Sequence, residues 1–209
     1  MKTMIAIPCM DQVPVPFMQS LLYLDKIGET SVAIESSSLI YDSRNSLLHK
    51  ALDAGVDRVL WFDSDMEFAP DTMVRLSADL DAGYDIVSGL YIKRRKPFTP
   101  VIFKECYLRE EAGLKIPSHK PYDDYPRDQI FEVAAFGFGC VMMSMSAVQH
   151  IVENLGGYPF MPAAGFGEDL SFCLRARQVG IKLWCDSRVQ CGHVGYHTYS
   201  AAETRWNNE

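Results

Sequence analysis

The chain predicts an α/β fold with a mainly parallel central sheet flanked by helices, on three observations. Short β-branched and aromatic runs alternate with longer segments of helical periodicity over roughly the first ninety residues, the order that produces a parallel sheet covered on both faces. The apolar run Arg58–Phe62 is too short for a helix and ends in Asp63-Ser64-Asp65, so it reads as a buried strand opening into a turn. A length of 209 residues, 48% apolar and 22% charged, can bury one substantial core, so a single domain over 1–209 is expected.

The elements follow in order. Residues 3–9 read as a buried first strand. Residues 14–27 place Phe17, Leu21, Leu22 and Leu24 at helical spacing, with Pro14 and Pro16 near the start and Gly28 past the end. A second strand is expected at 31–35. Residues 43–54 put Leu47, Leu48, Ala51 and Leu52 on one helical face, with Ser43 as N-cap and Gly55 as stop. The Asp-x-Asp strand comes third, an amphipathic helix runs from Pro70-Asp71 to about residue 82, and 85–91 is the fourth strand. Residues 93–129 change character: five prolines interrupt a charged, tyrosine-bearing stretch, which predicts a long functional or mobile loop. Beyond it, strands at 130–135 and 140–145 flank Phe136-Gly137-Phe138-Gly139, helices span 146–155 and 168–179, and a late strand occupies 181–184.

The formal charge of −7 argues against a phosphate-backbone binder, since such surfaces cluster Lys and Arg. Lys93-Arg94-Arg95-Lys96 is the exception; it reads first as a solvated loop and second as a local anion site, which leaves a nucleic-acid partner open. The apolar stretch at the amino terminus is too short for a signal-peptide core. No segment approaches the roughly 20 apolar residues that cross a bilayer. A cytoplasmic protein without a membrane span is expected. The six cysteines lack a Cys-x-x-Cys pair and read as reduced, packed thiols. A zinc site from Cys185, Cys191 and His193 would lack the paired close ligands of structural zinc.

Four constellations carry chemistry. Asp63 and Asp65 end a strand where open α/β sheets bind ligands, and two carboxylates there suit a hard cation holding a diphosphate. Gly165-Phe166-Gly167-Glu168-Asp169 opens a helix. Carboxylates in a first turn are favoured by the dipole, and the glycines allow close approach by another molecule. His193, between Gly192 and Gly195, could complete a metal site, with His197 as competitor. Arg44-Asn45, near a helix start, reads either as an exposed cation beside a cap or as a base- or phosphate-contacting pair.

In this order along the chain, Ser43-Arg44-Asn45, Leu60 through Phe68, Gly137-Phe138-Gly139-Cys140, Gly167 through Cys173 and a final His193 make the sequence similar to the nucleotide-sugar glycosyltransferases of the GT-A fold. It resembles particularly the small bacterial and phage members related to family 2, over almost the whole chain. The resemblance implies a single GT-A, Rossmann-like domain, with about 1–92 as the nucleotide-binding half and about 93–209 as the acceptor and catalytic half. It implies that Asp65 binds the divalent ion, Mn2+ or Mg2+, with His193 as a further ligand. Asp63 would lie against the ribose or a water, within the Asp63-Ser64-Asp65 donor site. Pro8 and Arg44 would border the base. Asp169, with Glu168 as the alternative, would be the general base. One departure stands out: Cys9-Met10-Asp11-Gln12 follows Pro8 where the family usually has an aromatic or acidic residue, which leaves the base recognised open.

The implied activity is transfer of a sugar from a nucleoside-diphosphate-sugar, UDP-sugar first, to an acceptor hydroxyl of a carbohydrate or other molecule, with inversion. A nucleotidyltransferase is the nearest rival, but would show a glycine-rich basic loop after the first strand. A non-catalytic nucleotide-sugar-binding protein is a second, disfavoured by the two intact carboxylate clusters. A third possibility is modified DNA as the acceptor; the acidic balance speaks against it, and Lys93-Arg94-Arg95-Lys96 leaves it open.

Overall fold

The computed structural model describes residues 1–195. Through Leu90, strand and helix alternate: β1 (Lys2–Cys9), α1 (Val15–Tyr23), β2 (Glu29–Ser36), α2 (Ile40–Asp53), β3 (Arg58–Phe62), the short β4 (Met66–Glu67), α3 (Thr72–Asp81) and β5 (Ile86–Leu90). There follow β6 (Ile102–Glu111), β7 (Leu114–Pro121), β8 (Ile130–Val133), β9 (Ala135–Phe136) and β10 (Cys140–Ser144). The chain then forms α4 (Met145–Leu155), α5 (Glu168–Gln178), β11 (Leu183–Gln190) and β12 (Gly192–His193).

Seven strands form the central sheet in the order β2-β1-β3-β10-β5-β11-β8. The first three and the β5–β11 pair are parallel, whereas β10 runs antiparallel to both its neighbours and β8 antiparallel to β11. The α/β architecture with helices on both faces is the one expected. Both halves of the chain contribute strands to this one sheet.

Alternation along the central strands divides the core. Met4, Ala6, Val59, Trp61, Val141 and Met143 face one side, with residues of α2, α4 and α5. Ile5, Ile7, Leu60, Phe62, Cys140 and Met142 face the other, under α1 and α3. Successive side chains of a strand point to opposite faces, so runs apolar at every position are what a doubly covered sheet requires. Each Leu, Ile or Phe so buried contributes about 1.5–3 kcal/mol relative to exposure.

Three local expectations are corrected. Helix α2 begins at Ile40, capped by Leu39 without a side-chain hydrogen bond; Ser43 lies inside it and is buried. Helix α1 stops at Tyr23, because Leu24 turns to extended backbone (φ −62°, ψ 127°). Residues 93–129 are not a loop throughout, for β6 and β7 form a long hairpin through Ala112 (φ 50°) and Gly113 (φ 77°). Pro117 and Pro121 are compatible with strand here because β7 is an edge strand, whose outer side needs no donors. No helix among the described residues is long and apolar enough to cross a membrane.

Candidate functional site

The chain reverses sharply after β3. Asp63 N donates to Gly139 O (3.1 Å), tying the turn to the start of β10, and Met66 N donates back to Asp63 O (3.2 Å). Strand β4 then pairs with β12, setting Met66 opposite His193, and Val194 N donates to Asp65 O (2.8 Å). Backbone pairing thus brings Asp65 and His193 together across more than half the chain.

The His193 side chain is oriented from behind. Its Nδ1 lies 3.0 Å from Ile92 O, which can only accept, so Nδ1 carries the proton and Nε2 presents its lone pair when the ring is neutral. That Nε2 is 3.5 Å from Asp65 Oδ2, and the Tyr91 ring packs edge-on against the imidazole. Arg94 Nη1 reaches the same Asp65 oxygen at 2.8 Å. Burial raises the Asp65 pKa, but His193 and Arg94 outweigh it and hold the carboxyl below its ordinary value.

The second carboxylate cluster opens α5. Arg44 joins it to the first: its Nη2 donates to Asp63 Oδ1 (2.7 Å) and its Nε to Glu168 Oε1 (3.4 Å). The guanidinium lies over the Phe138 and Phe160 rings at 5.2 and 5.9 Å. Asp169 Oδ1 accepts from Leu170 N (2.7 Å). Burial and the neighbouring charge of Glu168 push the Asp169 carboxyl up to about 6. Burial likewise raises Asp63, although Arg44 counteracts it.

Gly137 and Gly139 serve this packing through Tyr91. A Cβ on Gly139 would stand 2.7 Å from Tyr91 Cζ, and Gly139 N donates to Tyr91 Oη (3.2 Å). The glycines let a buried tyrosine support both His193 and the turn that carries Asp63.

Two adjoining cavities open here. One, of about 340 Å3, is lined by Met10, Gln12, Ser64, Asp65, Arg94 and Val194. The other, of about 620 Å3, is lined by Lys93, Arg94, Phe98, Cys191 and His193, so Arg94 stands on the ridge between them.

Asp63, Ser64, Asp65 and His193 are therefore gathered on one side, Glu168 and Asp169 on the other, with Arg44 between. Two assignments change. Arg44, only 2% exposed, is internal and paired with carboxylates, not an exposed cation beside a cap. Pro8 is buried within β1 opposite Glu35, and the surface beyond that strand is offered instead by Met10 and Gln12. His197 lies outside the described residues. Arg94 and Tyr91 had no assigned role. A charge cluster hinted at the first, and nothing local signals the second. The cysteines are all free, and five of the six are buried.

No group of three His, Cys, Asp or Glu residues forms a ready-made metal cage among the described residues. The donors Asp65 and His193 nevertheless fit a divalent ion that takes its other ligands from phosphate and water, as Mg2+ commonly does, and imidazole beside carboxylate suits Mn2+.

No family model and no curated protein matches the sequence. Solved structures do. The crystal structure of A197 from STIV superposes with a TM-score of 0.65 at 18% identity, over 94% of this chain and 87% of that one. GalNAc-T7 with UDP, GalNAc and Mn2+ gives 0.62 at 11% identity, over 94% of this chain and 43% of that one. S. aureus TarS 1–349 in complex with UDP-GlcNAc gives 0.59 at 14% identity, over 95% of this chain and 60% of that one. The chain thus spans about half the length of the latter two. Glycosyltransferases are among its structural neighbours, and at this identity the likeness establishes a shared fold: the mixed α/β sheet described above.

Proposed function

We propose that the protein is a metal-dependent glycosyltransferase, a small member related to family 2, moving a sugar from a nucleoside-diphosphate-sugar, UDP-sugar first, to an acceptor hydroxyl with inversion. The observation that carries the reading is Arg44, which ties the Asp63 carboxylate after β3 to the Glu168 carboxylate at the start of α5, at 2.7 and 3.4 Å. Neighbours solved with UDP and Mn2+ and with UDP-GlcNAc support the donor class. In this reading the first 92 residues chiefly serve the donor and the remainder the acceptor.

Asp65 and His193 would hold Mn2+ or Mg2+, which when bound supplies Lewis-acid neutralisation of the leaving diphosphate. The chain's own residues do the rest. Ser64 and the residues beyond β1 border the donor cavity. Asp169 Oδ takes the acceptor's proton, and the acceptor oxygen attacks the anomeric carbon. The bond to the diphosphate oxygen breaks with its electron pair leaving on that oxygen. A carboxyl at about 6 is ionised at neutral pH yet more basic than an exposed aspartate, and a positioned base of this kind contributes typically about 10²–10⁴-fold. Glu168, engaged by Arg44, is the less available carboxylate.

The test is release of UDP from a panel of UDP-sugars with Mn2+, with and without simple sugar acceptors. Chelator-sensitive release supports the reading. Pyrophosphate release from a nucleoside triphosphate would favour a nucleotidyltransferase, and nucleotide-sugar binding without any turnover would leave a binding protein.

A further inference from the structure

Asp65 Oδ2 is contested. His193 Nε2 stands 3.5 Å away. The guanidinium of Arg94 stands closer, at 2.8 Å from the same oxygen. Its Nη1 also donates to Val194 O (3.0 Å), and its aliphatic stem lies where a Cβ on Gly195 would stand, 2.8 Å from Cδ. Arg94 therefore occupies the electrostatic place of a metal ion. A divalent ion bound between Asp65 and His193 would bring two cations onto one carboxylate, and like charges at such separation repel by kilocalories even with partial screening.

Arg94 is free to yield. Its side chain is 48% exposed, and its loop is held at both ends, by Lys93 N donating to Thr99 O (3.0 Å) and by the Ile92–Pro100 bridge, so the side chain can swing without the loop leaving. The group it would swing to stands beside it: the cavity of about 340 Å3 is lined by Arg94, Ser64 and Asp65 together. A guanidinium recognises phosphate with paired, charge-assisted bonds.

Resting on the proposed function, we infer that Arg94 is an exchangeable counter-ion: it neutralises Asp65 while the metal is absent and passes to the donor's diphosphate when the metal binds. The consequence is coupling. The metal alone competes with Arg94, while metal and diphosphate together satisfy both cations, so each ligand tightens the other.

The experiment titrates Mn2+ alone, then inorganic pyrophosphate at saturating Mn2+, into wild-type protein and Arg94→Gln, by calorimetry, with circular dichroism confirming the fold. Arg94→Gln should bind Mn2+ alone about twofold to fivefold tighter, the scale of a partly exposed ion pair. It should bind pyrophosphate about tenfold more weakly, the scale of a charged hydrogen bond. Equal or weaker Mn2+ binding by the variant overturns the exchange, as does unchanged pyrophosphate affinity. Wild-type protein that binds neither probe defeats the functional reading itself, a separate result.

Discussion

Arg44→Met tests whether the two carboxylate clusters truly depend on one cation. The guanidinium is 2% exposed, while its partners Asp63 and Glu168 are 29% and 18% exposed. Removing one member of a buried ion pair costs about 3–5 kcal/mol because a charge is left uncompensated. Water reaches both carboxylates, so the lower end, about 3 kcal/mol, applies, and losing the cation over Phe138 and Phe160 adds about 0.5–2 kcal/mol. For a chain of this size about 3 kcal/mol lowers Tm by about 6–12 °C. The pH dependence is diagnostic. Burial already raises the folded pKa of Asp63, and without Arg44 the cation counteracting that burial is gone, so the deficit is full at neutral pH and shrinks as pH falls toward the unfolded Asp value of about 4. Thermal unfolding of Arg44→Met and Arg44→Met/Asp63→Asn from pH 4 to 8 measures it. The double variant should regain part of the loss. A single variant melting within 2 °C of wild type, with the same pH profile, would refute the bridging role.

Asp169→Asn should abolish UDP-sugar-dependent transfer while leaving Mn2+-dependent UDP binding within about twofold; wild-type activity should fall as pH drops through about 6, where this carboxyl takes up its proton. His193→Ala should weaken Mn2+ binding about tenfold or more and Asp65→Ala should remove it, both read by titration; undiminished affinity in Asp65→Ala would rule out the metal assignment. Asp79, buried beside Asp186 on α3, is pushed up to about 6 by burial and by that neighbour. Its folded pKa exceeds the unfolded value of about 3.9, so the stability of its neutral form is present below about pH 4 and lost as pH rises to about 6. Asp79→Asn should flatten that slope, raising stability at pH 7 relative to pH 4 by about 1–2 kcal/mol; parallel melting curves for variant and wild type would contradict it.

The strands carrying the carboxylates were legible because their burial is a local property: Arg58–Phe62 is apolar at nearly every position, and a doubly covered strand must be. What escaped was non-local. Nothing in Cys140–Ser144 says that it inserts antiparallel between β3 and β5, since strand partners are chosen by the whole sheet. The β6–β7 hairpin was obscured by Pro117 and Pro121, which break central strands but not an edge. At the site, Asp63, Asp65, Glu168 and Asp169 announce themselves as paired acids at element ends. Arg44 misleads, because a cation near a helix start usually faces water, and only the packing of Phe138 and Phe160 encloses it. Arg94 hid inside a run of four cations; among the described residues it is the member that reaches a carboxylate.

The two arginines differ in a way that explains why the cleft needs both. Of the four carboxylates, Asp63 and Glu168 pair with Arg44 and Asp65 with Arg94, while Asp169 accepts from Leu170 N. The excess negative charge shows in the raised pKa of Asp63 and of Asp169, where burial and neighbouring carboxylates favour the proton. Arg44 cannot relieve it further: enclosed by aromatic rings and engaged twice, it is a permanent part of the fold. Arg94 is half-exposed and engaged with Asp65, which lines an open cavity. A divalent ion at Asp65 and His193 would supply the missing positive charge, and the diphosphate it holds would supply new negative charge for Arg94 to meet. With one cation fixed between the two clusters and the other exchangeable at Asp65, Asp169 would, under the proposed function, keep its environment while the donor loads and leaves.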